Sequence, residues 1–112
     1  MPRYLISFDD GAMTFPAAEL PAMAEAAHQV VQAAKHTGVW VFGGGLLSQR
    51  ASVVATDGTV SAGPYPEPKA VIGGFSIVDV SAREDALAWA ARLAGACRCA
   101  QEVREIMPDP HV

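Results

Sequence analysis

The strongest constraint on this chain is a pair of one-sided amphipathic segments, each set between runs with the period-two pattern of a strand. From about Ala17 to Thr37, the residues Leu20, Met23, Ala27, Val30, Val31 and Ala34 fall on one helical stripe, and Gly38 supplies a stop. In the second segment Ser81-Ala82-Arg83-Glu84 reads as a capping box, Ala86, Leu87, Ala90, Leu93 and Ala94 form the stripe, and Gly95 ends it. A helix with one apolar stripe must bury it against another layer, so two such helices call for a sheet beneath them. Pro21 fits only the first turn of a helix, which leaves open a start near Ala17 or a short turn at Pro16 followed by a helix from Pro21.

The strand-like runs supply that sheet. Arg3 to Asp9 alternates Tyr4, Ile6, Phe8 with Leu5, Ser7, Asp9. Val39-Trp40-Val41-Phe42 is β-branched and aromatic, and it runs into Gly43-Gly44-Gly45, where missing side chains permit a bulge or a close backbone approach. Ser52–Thr56 and Thr59–Ala62 flank Asp57-Gly58, a hairpin signal. Gly73 to Val80 reads as a strand, and Gln101 to Met107 as the last one. Between hairpin and strand, Pro64, Pro66 and Pro68 exclude both helix and central strand and predict an extended loop.

The expected fold is α+β: a ferredoxin-like βαββαβ unit with an inserted β-hairpin, an antiparallel sheet with two helices on one face, and one domain spanning residues 1–112. Such a sheet leaves its other face bare, and 51% apolar residues against 18% charged is generous for a chain of 112 residues; a second copy of the chain would supply the cover. Net charge is −4 with eight Lys plus Arg and no basic run, so nucleic acid is not an expected partner. The start at Met1-Pro2-Arg3-Tyr4 shows no export signal, and no apolar stretch is long enough for a membrane, which predicts a cytoplasmic protein.

Few residues carry chemistry. His111 lies in a Pro-rich tail and His36 opposite the apolar stripe of its helix. His28 stands one residue past Ala27, at the border of the stripe, where an imidazole could move protons near neutrality with a carboxylate to orient it. Asp9 is the preferred partner and Asp79 the second; the competing reading makes His28 a boundary residue satisfied by backbone or water. Tyr4, Ser7, Tyr65 and Arg104 could line the same pocket as hydrogen-bond donors, with Arg104 an anchor for an anionic group. Cys97 and Cys99, one residue apart, suit neither a disulfide nor a zinc site, and the triple glycine lacks the Lys and Ser or Thr of a phosphate loop, so no metal or cofactor is expected.

The run Gly63-Pro64-Tyr65-Pro66-Glu67-Pro68-Lys69 followed by Gly73-Gly74-Phe75 resembles the signature of YCII-related (DGPF-like) proteins. Glu67, Lys69, Gly73 and Gly74 match it, Tyr65 stands at the aromatic position, and Ala62 replaces the aspartate. Ala27-His28, Val41–Gly45 and Ala88-Trp89-Ala90-Ala91 extend the resemblance along nearly the whole chain. It implies a dimeric α+β barrel of ferredoxin-like monomers. It also implies a small-molecule ligand and a His–Asp pair, and one relative removes chloride from a hydroxylated aromatic ring. Fold alone transfers no reaction. Two functions follow as expectations: a cofactor-independent lyase, isomerase or hydrolase with His28 central, or a non-catalytic ligand-binding or regulatory dimer, an option kept open by the occurrence of family members beside sigma-factor-like regulators.

Overall fold

The computed structural model describes residues 2–47, 51–63 and 72–112. Its strands are β1 (Arg3–Asp9), β2 (Trp40–Gly45), β3 (Ser52–Val54), β4 (Val60–Ala62), β5 (Ile72–Asp79) and β6 (Glu102–Glu105), and its helices α1 (Leu20–Thr37) and α2 (Arg83–Cys97). The main sheet runs β2-β5-β1-β6 with every pairing antiparallel, while among the described residues β3 and β4 pair only with each other. Without the hairpin the order is βαββαβ, and the two central strands are the first and third of that unit, the ferredoxin-like topology expected from the sequence.

Residues directly opposite in the register share a face of the sheet. Tyr4 opposes Val78, and Ile6 opposes Val103. These side chains form the core with Val80 and with Ala86, Ala90 and Leu93 of α2, and Val30 of α1 packs against it. Both helices therefore cover the Tyr4–Ile6 face. Ile6 and Val78 are fully buried, which puts the centre of the core on the two middle strands.

Local chemistry accounts for the ends of α1. A 3-10 turn at Ala17–Glu19 begins after Pro16, and Pro21 sits in the first helical turn, where no donor is lost. The α-helix thus starts at Leu20, between the two starts that the sequence left open. Leu20 is half-exposed rather than buried, because at the first residue the stripe has not yet turned onto the sheet. At the other end Gly38 takes φ 85° and donates to the carbonyls of Ala34 and Lys35. A Cβ there would meet nothing within 4 Å, so Gly38→Ala carries only the conformational penalty. We expect a loss of about 1 kcal/mol, roughly 4 °C in Tm, measurable by thermal denaturation.

α2 departs from expectation at both ends. Its N-cap is Ala82, without a side-chain cap, and Ser81 donates to Asp85 at 3.2 Å instead of closing a capping box with Glu84. The helix also passes Gly95 and ends at Cys97, with Arg98 in the left-handed conformation at φ 58°. Arg98 is held there by an ion pair to Glu19 and by the ring of Phe15, and Cys97 is buried, so tertiary contacts carry the helix past its glycine. Leu87 lies 43% exposed beside the buried Ala86, Ala90 and Leu93.

The hairpin also differs in detail. Gly58 at φ 89° donates to Ala55, and Ala55 donates to Thr59, so a turn followed by a left-handed glycine replaces the tight two-residue loop. β2 absorbs all three glycines into the strand, and β6 is shorter than the sequence pattern suggests. Among the described residues no helix is long and apolar enough to cross a membrane.

Candidate functional site

The sheet face turned away from the helices carries two rows set by the register. One row reads Phe42, Ile77, Leu5, Arg104, and the next Gly44, Phe75, Ser7, Glu102. Phe42 and Phe75 lie with ring centroids 6.0 Å apart. At the β1 entry of this face, Arg3 opposes Asp79, with Nε 3.5 Å from Oδ2. Arg104 pairs along its own strand with Glu102 at 2.8 Å. Ser7 is the buried polar residue of the face, at 6% exposure.

An open concavity of about 540 Å³ lies at the Arg3 end. Ile77, Asp79 and Arg3 line it from the sheet, Glu105 from the end of β6, and Ile106 and Met107 from the segment that follows. A smaller one, about 250 Å³, sits between the C-terminal end of α1 and the start of α2 and is lined by Thr37, Val39, Val80, Ser81, Asp85 and Trp89. The first combines apolar Ile77, Ile106 and Met107 with the charged Arg3, Asp79 and Glu105, a lining that can hold a small organic molecule.

The candidate residues from the sequence divide among separate places. Ser7 and Arg104 share the open face in adjacent rows. Tyr4 does not join them: three residues from Ser7 in a strand, it points to the helix side, where its ring is 3% exposed. Its hydroxyl reaches Glu105 Oε1 at 3.5 Å, and burial, then the Glu105 charge, raises its pKa above the usual tyrosine value. Tyr65 and most of the Pro-rich motif, from Pro64 onward, lie outside the described residues.

His28 is exposed on α1, and Asp9 is exposed at the end of β1, just past a register shift between Phe8 and Asp9. No hydrogen bond or ion pair joins the two among the described residues, and neither residue lines either concavity. Asp79, the second choice of partner, is engaged by Arg3. The sequence reading missed Arg3, its pairing with Asp79, and the aromatic pair Phe42–Phe75. Their signal was the alternation of Phe75, Ile77 and Asp79 against the inward Val78, together with the Arg3 parity on β1.

Cys97 and Cys99 are free thiols. Gln101 Nε2 donates to Cys99 Sγ at 3.6 Å. Burial pushes both thiols up in pKa, and the charge of Cys99 adds to the effect on Cys97. Among the described residues no three potential metal ligands cluster. A thiol whose pKa is raised by folding contributes stability that is fully present below its unfolded value, and Tyr4 acts in the same sense. Stability should therefore fall as pH rises above about 9.0, the ordinary thiol value. Urea midpoints at pH 7.5 and pH 10.5 test this, and Cys97→Ser should flatten the decline; an unchanged slope in that variant would refute the assignment to the thiol.

The sequence model of the YCII-related domain matches residues 4–108. The chain belongs to the YCII-related family. The match spans all strands of the main sheet except the first residue of β1, and it includes both helices and the Pro-rich segment. No curated protein matches the sequence. Among solved structures, this YCII-related chain is similar to 5-chloro-2-hydroxyhydroquinone dehydrochlorinase (TftG) from Burkholderia phenoliruptrix AC1100, solved in complex with 2,5-dihydroxybenzoquinone. The two share 14% identity with a TM-score of 0.49, over 99% of this chain and 98% of the other.

Proposed function

We propose that this YCII-related protein is a cytoplasmic homodimer that binds a small organic molecule on the open face of its sheet, at the concavity between Arg3, Asp79, Ile77 and Met107. The observation that carries the reading is this concavity of about 540 Å³, lined by apolar side chains together with the Arg3–Asp79 ion pair. The dimer is supported by the bare face itself: Phe42 is 63% exposed beside Phe75, and a second copy laid against it would bury the aromatic pair. An interface of ~1,200 Å² or more in total is expected, and light scattering at micromolar concentration should return twice the chain mass. A stable monomer would sink the dimer.

The binding site is tested by methyl NMR during titration with a set of small aromatic acids and phenols. Binders should shift Ile77, Ile106 and Met107 first, and Ile77→Arg should abolish the response. Shifts confined to the smaller concavity near Trp89 would relocate the site and overturn the assignment. A second reading keeps the protein an enzyme, with His28 and Asp9 as an acid–base pair and Ser7, Tyr4, Tyr65 and Arg104 as its substrate contacts. What favours it is the residue type alone, an imidazole able to move protons near neutrality, since His28 stands exposed on α1 and lines neither concavity.

A further inference from the structure

The β3–β4 hairpin is an element without a body to rest on. Its strands are three residues each, and among the described residues they pair only with one another and no other element packs substantially against them. A two-stranded hairpin alone is marginal in water. Val54 opposes Val60 on one side of it, and both are exposed, at 63% and 65%. The chain is correspondingly extended: its radius of gyration is 15.5 Å, where about 13 Å is usual for a compact domain of this length.

The hairpin springs from the junction of β2 and β5, at the end of the sheet marked by Gly45 and Ile72 and opposite the Arg3–Asp79 end. The same chain therefore carries an uncovered apolar arm and an uncovered apolar half-face. A two-fold axis satisfies both at once, because each arm then meets the partner's face and the contact occurs twice in one self-complementary interface. The area is sufficient. Phe42, Leu46, Leu47, Val54, Val60 and Ile72 are all large and at least two-fifths exposed, and their uncovered surface comes to roughly 600 Å² per protomer, the share each side gives to the smallest stable interfaces.

We infer that the β3–β4 hairpin is an exchanged arm, laid with Val54 and Val60 across the β2–β5 half of the open sheet face of a second copy. The inference rests on the homodimer proposed above and adds what closes the site: the arm covers the Phe42–Phe75 side and leaves the Arg3–Asp79 end as the mouth. The ligand chamber is thus incomplete in one chain, since one of its walls comes from the other.

Hydrogen exchange of the segment 52–62, read by mass spectrometry, tests the arm separately from the dimer. In the dimer the amide of Ala55, bonded to Thr59 at 2.8 Å, should exchange at least ~100-fold more slowly than in an unstructured peptide, and dilution to monomer should remove that protection. Val54→Lys with Val60→Lys changes only exposed side chains, so the fold is kept, and it should raise the dimer dissociation constant by about 100-fold. If the wild-type chain is a monomer, the dimer fails and the arm with it. If it is a dimer whose hairpin exchanges freely, or whose hairpin stays protected on dilution, or whose dissociation constant ignores the two lysines, the arm is overturned while the dimer stands.

Discussion

Gly43→Ala is expected to remove about 2–3 kcal/mol of stability and to lower Tm by roughly 10 °C, whereas alanine at the next two glycines should be nearly neutral. The difference is geometric. A Cβ built on Gly43 would lie 2.5 Å from the Phe75 carbonyl oxygen and 2.9 Å from both Ser76 Cα and Trp40 Cη2. Two of those three atoms belong to the backbone of β5, which cannot retreat without breaking its pairing with β1. At Gly44 and Gly45 nothing lies within 4 Å of such a Cβ, and neither has a positive φ. Alanine there could even add a few tenths of a kcal/mol by restricting the unfolded chain. The close approach at Gly43 follows from the register shift between Trp40 and Phe42, which brings the β2 backbone onto β5. Because the same seam sets Phe42 beside Phe75, Gly43→Ala should also weaken the proposed dimer. Urea unfolding of the three alanine variants decides the matter: equal midpoints would show that β2 adjusts freely and that the contact is not a constraint.

This contrast marks how much of the fold was legible in the sequence. Period two in Arg3–Asp9 placed β1 to the residue, because a half-buried strand writes its two faces directly into the residue order. The triple glycine announced a close approach, but only the register identifies which of the three makes it. Helix ends were less legible where tertiary contacts overrode local signals. Gly95 would stop an isolated helix, yet the burial of Cys97 and the Arg98–Glu19 pair extend α2 beyond it. Those partners are far apart in sequence, and no local pattern contains them.

The site was harder still. The sequence groups Ser7 and Arg104 as hydrogen-bond donors of one pocket, and the register brings them into adjacent rows of the open face. Grouping Tyr4 with them ignored its parity, which the alternation already contained. Asp79 was considered only as a partner for His28, while its opposite number across the sheet, Arg3, follows from a pairing that sequence periodicity cannot supply. The aromatic pair Phe42–Phe75 is a cross-strand contact of the same kind.

His28→Ala separates the two functional readings, and its expected effects differ by orders of magnitude. The side chain is exposed and makes no hydrogen bond among the described residues, so its loss should change stability by no more than about 0.5 kcal/mol. Ligand binding at the Arg3–Asp79 concavity should also be unchanged, since His28 does not line it. Under the acid–base reading, however, turnover of a bound substrate should fall by ~10²–10⁴-fold, the usual contribution of a positioned proton-transfer group. Asp9→Asn should reproduce part of that loss if the carboxylate orients the imidazole, and should add little in the double variant, because two groups acting as one unit are not additive. The measurement pairs a melting curve and a ligand titration with a single-turnover assay on whichever compound shifts Ile77. A variant that melts and binds like the parent but no longer turns the compound over makes His28 a catalytic residue. If turnover is kept, the imidazole is a surface residue of α1 and the chemistry belongs to other groups; if the parent binds the compound and leaves it unchanged, the binding reading stands.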